Sequence, residues 1–163
     1  MKKIIFLIAA LLFAVISCDE AEAEESAVSN TENSGAASIA DGENMKITIT
    51  INGREKLSAT LAGNSSAKAF YALLKKGAVT VEMHDYGNFE KVGSLPESLP
   101  RNDTQITTEP GDIILYQGDQ ITIYYDTNSW SFTRLGRIGG VTQAELRAVL
   151  GEGGVTAVFE VKK

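Results

Sequence analysis

Residues 45–52 alternate strictly between apolar and polar: Met45, Ile47, Ile49 and Ile51 fall on one face, Lys46, Thr48, Thr50 and Asn52 on the other. A period of two is the mark of a half-buried strand. Asn52-Gly53 then gives a type I′ hairpin signal, since both residue types tolerate positive φ, and 54–61 returns as the partner strand. From Asn64 the period changes. Ala67, Phe70, Tyr71 and Leu74 recur at helical spacing, with Asn64 or Ser65 to cap the start and Gly77 to end it. Residues 78–84 read as a strand with Val79, Val81 and Met83 inward. Further strands are expected at 113–116, 120–126 and 155–162, with a short one at 131–135 and Gly118-Asp119 turning between the first two. Thr142 and Glu145 form a capping box that opens a short helix burying Leu146, Val149 and Leu150 before Gly151. Short strands, two brief helices and no regular strand-helix alternation predict a mainly β domain, an antiparallel barrel rather than a parallel α/β sheet.

The pattern upstream is different in kind. Met1-Lys2-Lys3 precedes thirteen apolar residues from Ile4 to Ile16, which suits a signal h-region and falls short of the roughly 20 residues that span a bilayer. Val15-Ile16-Ser17-Cys18 is similar to the lipobox of bacterial lipoproteins, in which cleavage precedes a cysteine whose thiol carries diacylglycerol. Residues 1–17 are therefore expected to be a signal peptide and Cys18, the only cysteine, the acylated residue. Acyl burial contributes about 0.8 kcal/mol per methylene, so two or three chains would hold the protein on the membrane. The alternative is a secreted protein cleaved elsewhere.

Residues 19–44 hold eight acidic residues and no basic ones among many Ala, Ser, Asn and Gly. Such a segment buries too little apolar surface to offset its ordering entropy, and residues 18–44 are expected to form an acylated, disordered tether with a reach of roughly 30 Å. Residues 45–163 carry 13 Lys plus Arg and 13 Asp plus Glu, so this 119-residue domain is formally neutral. Without a basic excess, nucleic acid is not an expected partner. The domain is large enough for one hydrophobic core without disulfides.

Asp85-Tyr86, Glu90-Lys91, Leu95-Pro96, Leu99-Pro100, Gly111-Asp112, Ile123-Tyr124-Tyr125 and Thr133-Arg134-Leu135-Gly136-Arg137-Ile138, in that order and spacing, resemble the bacterial cyclophilin-like domain family from about Met45 to Val161. The resemblance implies a closed antiparallel barrel of roughly eight strands flanked by two helices. Cyclophilins isomerise X-Pro bonds, whose barrier is roughly 18–20 kcal/mol, with an arginine beside the twisted amide and an apolar pocket for the ring. Their arginine belongs to a Phe-His-Arg motif absent from this chain. Arg134 or Arg137 with Tyr125, Trp130 and Phe132 imitates the arrangement by analogy alone, so the fold carries over and the chemistry does not.

Other chemistries find less support. His84 and Asp85 are neighbours in a strand, point to opposite faces and cannot make the orienting hydrogen bond of a triad. One histidine and one acylated cysteine do not make a zinc site. Gly136 to Gly140 lacks the dinucleotide fingerprint, and no cofactor is expected. Residues 85–91 read as a loop in which Tyr86, Phe89, Glu90 and Lys91 wall a ligand pocket. The bland alternative has Tyr86 and Phe89 plugging the barrel end and Glu90 paired with Lys91 or an arginine. Tyr124, Tyr125, Trp130 and Phe132 form a second aromatic cluster, in which alternation points Tyr125 inward and Tyr124 outward, so only part of it lines a common pocket.

Three functional expectations result. The first is a non-catalytic binding module at the cell envelope, outside the cytoplasm, with a shallow groove bounded by Tyr86, Phe89, Trp130 and Arg134 and a peptide or small molecule as ligand. The second is an envelope prolyl isomerase using Arg134. The third is a partner of envelope proteins that docks through a barrel edge.

Overall fold

The computed structural model describes residues 45–163; the expected signal segment, Cys18 and acidic tether lie outside the described residues. In chain order the elements are β1 (Lys46–Ile51), β2 (Glu55–Leu61), α1 (Ser65–Lys76), β3 (Val79–Tyr86), β4 (Glu90–Ser94), β5 (Thr104–Thr107), β6 (Asp112–Tyr116), β7 (Gln120–Tyr124), β8 (Ser129–Ile138), α2 (Gln143–Leu150) and β9 (Val155–Val161). Eight strands run β2-β1-β9-β3-β4-β7-β6-β8, and β8 pairs back onto β2, closing an antiparallel barrel; β5 adds beside β8. Closure leaves no open edge except at β5, which is how all-β folds of this size avoid unpaired backbone.

Local chemistry accounts for most elements. Asn52 and Gly53 take φ of 50° and 69°, and Arg54 N–H donates to the Ile51 carbonyl at 3.0 Å, completing the I′ turn between β1 and β2. Asn64 caps α1 by accepting from the Ala67 N–H at 2.8 Å, while its own amide donates to the Arg134 carbonyl and ties the helix to β8. Thr142 and Glu145 make the reciprocal capping box of α2. Between β6 and β7 the left-handed residues are Gln117 and Gly118, one position earlier than expected.

Two strands were not legible in the sequence. β4 carries Glu90-Lys91 and a glycine, so it reads as loop, yet it sits between β3 and β7. Gly93 permits this: a Cβ there would lie 2.5 Å from the Glu82 carbonyl oxygen and 2.4 Å from a Val81 methyl. β5 is four residues of mixed polarity, and only its partner β8 defines it.

Alternation along the strands divides the apolar residues between two places. Ile47, Ile49, Val81, Ile113, Leu115, Ile121, Ile123 and Phe159 point into the barrel with Phe70 of α1 and Leu146 of α2. Ile114, Tyr124 and Phe132 point out and form a separate cluster with Phe89, Ile106 and Tyr116 packed against it. Strands β6 and β7 are thus covered on both faces, and the outer layer becomes the floor of a groove. Among the described residues no helix is long and apolar enough to cross a membrane.

Candidate functional site

The groove lies on the outer surface of the barrel across β3, β4, β7, β6 and β8, with a volume of about 410 Å³, in the range of roughly 300–1,000 Å³ usual for small-ligand sites. Its floor and walls are aromatic. Phe89 and Tyr124 stack with ring centroids 5.9 Å apart and planes at 12°, Tyr86 stands edge-on to Phe89 at 6.0 Å, and Phe132 contacts both Tyr124 and Tyr116. Tyr86 and Trp130 are each 61% exposed, so they stand at the rim rather than plug the barrel.

Polar groups converge on this apolar surface. Glu90 and Tyr124 are cross-strand partners on β4 and β7, and Val92 pairs with Thr122, so Glu90 and Thr122 are diagonal neighbours on one face. Glu90 is only 7% exposed. Its Oε2 and the Oγ1 of Thr122 are buried and complete no hydrogen bond of normal geometry among the described residues. Burial pushes the Glu90 carboxyl above the usual range, and the hydroxyls of Tyr124 and Thr122 nearby only partly oppose it. Burial first, then hydrogen bonding to Glu90 and the Glu90 charge, push the Tyr124 phenol well up. His84, Ser94, Gln120 and Asn128 add to the polar lining.

Of the residues singled out in the sequence, Tyr86, Phe89, Glu90 and Trp130 meet in this groove. Lys91, Tyr125 and Arg134 do not. Lys91 follows Glu90 in a strand and so points the opposite way; its fully buried ammonium donates to Asp85 Oδ2 at 2.7 Å and to the carbonyls of Gly151 and Gly153 at 2.9 and 2.7 Å. The expected pairing of Glu90 with Lys91 is therefore replaced by Asp85–Lys91. Tyr125 is buried beside this pair and donates to Asp85 Oδ1 at 2.6 Å; burial first and the Asp85 hydrogen bond second push its phenol to about 12. Burial raises the Asp85 carboxyl, but Lys91, Tyr125 and the Gly153 N–H outweigh it and hold the group below the usual carboxylate range. His84 and Asp85 do leave opposite faces, as alternation requires.

Arg134 is tied to the fully buried Asp112 at 2.9 Å, and Asp112 also accepts from the Glu109 N–H. Arg137 pairs with Glu109. Neither arginine lines the groove. A second hollow of about 430 Å³ lies over Asp85, Tyr125 and Arg147, where the polar groups already satisfy one another: Arg147 bonds Asp126 at 2.6 Å and lies over the Tyr125 ring. Among the described residues no three His, Cys, Asp or Glu side chains converge as a metal site would need.

Tyr124 and Thr122 are the lining residues that sequence reading set aside. The available signal was the doubly apolar run Ile113-Ile114-Leu115, since a strand apolar on both faces has something covering its outside.

No curated protein matches the chain. Among solved structures, it is similar to a hypothetical protein from Archaeoglobus fulgidus determined in solution, with a TM-score of 0.54 and 16% identity over 74% of this chain and 97% of that one. At that identity the likeness speaks for the fold alone. The model of the cyclophilin-like family matches residues 49–160, which span β2 through α2 completely, half of β1 and most of β9, and the chain therefore belongs to the cyclophilin-like family.

Proposed function

We propose that this protein is a binding module of the bacterial cell envelope, moored outside the cytoplasm by lipid on Cys18, that holds a peptide or small ligand in the outer-face groove without turning it over. The observation that supports this reading is the groove itself: an aromatic-walled concavity in which one carboxyl oxygen of Glu90 and the Thr122 hydroxyl are buried and complete no hydrogen bond of normal geometry among the described residues. Native proteins leave few such groups unsatisfied, and where they do, a ligand is a sufficient reason. A prolyl isomerase reading needs an arginine free to meet the amide, whereas Arg134 is engaged by Asp112 and stands outside the groove.

Trp130, the only tryptophan, stands at the groove rim and reports occupancy by fluorescence. Titration of full-length protein with short peptides and small envelope metabolites is expected to give saturable Trp130 changes; a panel without any such change counts against the reading. Mass spectrometry of native material is expected to find fatty acyl groups on Cys18, and unmodified Cys18 would remove the mooring.

A further inference from the structure

Resting on that reading, we propose that the groove recognises a cation: its ligand presents an ammonium group to Glu90 and Thr122 over the aromatic floor. The first support is the pattern of unmet hydrogen bonds. Glu90 Oε2 and Thr122 Oγ1 are both buried and complete no hydrogen bond of normal geometry among the described residues, on adjacent strands one diagonal step apart, and the nearby Tyr124 and Thr122 hydroxyls offset the burial of the Glu90 carboxyl only in part. An ammonium carries three donors and no acceptor, so a single group can serve both oxygens.

Charge gives the second support. The lining contains no lysine or arginine, and Glu90 is its only acidic residue. Lys91, the nearest cation in sequence, is used up on the opposite face of β4 by Asp85 and two carbonyls. The carboxyl thus lacks a counter-charge from the protein, and an entering cation would supply it.

The walls give the third. Phe89, Tyr124 and Phe132 line the groove with Tyr86 and Trp130 at its rim, and aromatic rings attract cations through the negative quadrupole of their faces. An anion would meet Glu90 unfavourably. A neutral ligand would leave the carboxyl without its charge partner.

Proton linkage follows from the geometry. Burial favours the neutral form of Glu90 in the empty groove, and an ammonium beside it favours the ionised form. Binding therefore releases a proton from Glu90 to the buffer, and amine affinity falls as pH is lowered through the range where Glu90 protonates. The other titratable lining groups are His84 on β3 and the phenols of Tyr86, Tyr116 and Tyr124. His84 is the lining imidazole, so the pH series is repeated in His84→Gln.

The test uses full-length protein and paired probes: phenethylamine against phenethyl alcohol, and an end-blocked lysine tripeptide against its norleucine analogue, each to millimolar concentration. Trp130 fluorescence and calorimetry in two buffers of different ionisation heat are the readouts. The expected result is amine binding at least roughly tenfold tighter than the neutral partner, proton release with the amines only, and loss of the preference in Glu90→Gln. Thr122→Val is a second, apolar variant of similar shape that should weaken the amines more than their neutral partners. Equal binding of charged and neutral probes, or a preference that survives Glu90→Gln, overturns the cation inference and leaves the binding groove standing. Failure of every probe, charged or neutral, overturns both.

Discussion

Lys91→Met separates a structural lysine from a ligand-binding one. The lysine ammonium is fully buried and makes three hydrogen bonds, to Asp85, Gly151 and Gly153. Methionine keeps most of the stem and its packing but removes the charge and every donor. Removing one partner of a buried ion pair costs roughly 3–5 kcal/mol. Here the lower end applies, about 3 kcal/mol, because the Asp85 side chain is 29% exposed and retains the Tyr125 hydroxyl at 2.6 Å and the Gly153 N–H at 3.0 Å. Gly151 and Gly153 lie at the surface, where water takes over their carbonyls. Domains of this size have about 5–15 kcal/mol of stability, and about 4 °C per kcal/mol gives a fall of about 12 °C in Tm.

Urea and thermal unfolding of full-length protein, followed by circular dichroism, measure the loss. The pH dependence has a definite sign. Asp85 has its folded-state pKa lowered from 3.8, so its contribution is present above that value and is lost as pH falls through the folded pKa. Without Lys91 that pKa moves back up, and the gap between wild type and variant narrows below pH 3.8. A Lys91→Met protein that keeps wild-type stability, to within about 1 kcal/mol, but loses binding in the groove would refute the assignment of Lys91 to the frame.

Glu90 predicts the opposite trend with pH. Its folded-state pKa is raised above 4.5, so the stability it confers is present at lower pH and lost as pH rises through the folded pKa; Glu90→Gln should gain on wild type as pH climbs above 4.5, and a constant difference across that range in urea titrations contradicts it. Gly136→Ala puts a Cβ 2.5 Å from the Thr60 carbonyl oxygen and 2.8 Å from Leu61 Cα, where β8 closes onto β2, and should cost about 1–3 kcal/mol in chemical unfolding. Arg134→Ala strips the buried Asp112 of its close cation and should lower Tm while leaving ligand affinity at the groove within about twofold of wild type. In a protease-coupled X-Pro peptide assay the wild type should not exceed the background rate. Turnover abolished by Arg134→Ala would restore the isomerase reading.

Local physics made much of this protein legible from its residues. The two-residue period of β1, the Asn52-Gly53 turn, the helical spacing of Ala67, Phe70 and Leu74 and the box of Thr142 and Glu145 each depend on neighbours within a few positions. A mainly β domain with two helices follows from them, and the ordered motifs between Asp85 and Ile138 carried the family resemblance. The groove had no such local source. Glu90 is buried because Tyr124 and Thr122, more than thirty residues on, sit beside it across a strand pairing, and Lys91 can be buried one position later because Asp85, Gly151 and Gly153 converge on the other side. In the linear chain these two residues look like an exposed charge pair in a loop. Strand pairing sends them to opposite faces of the sheet, and the different surroundings there make one a member of the frame and leave the other facing a groove whose lining holds no lysine or arginine.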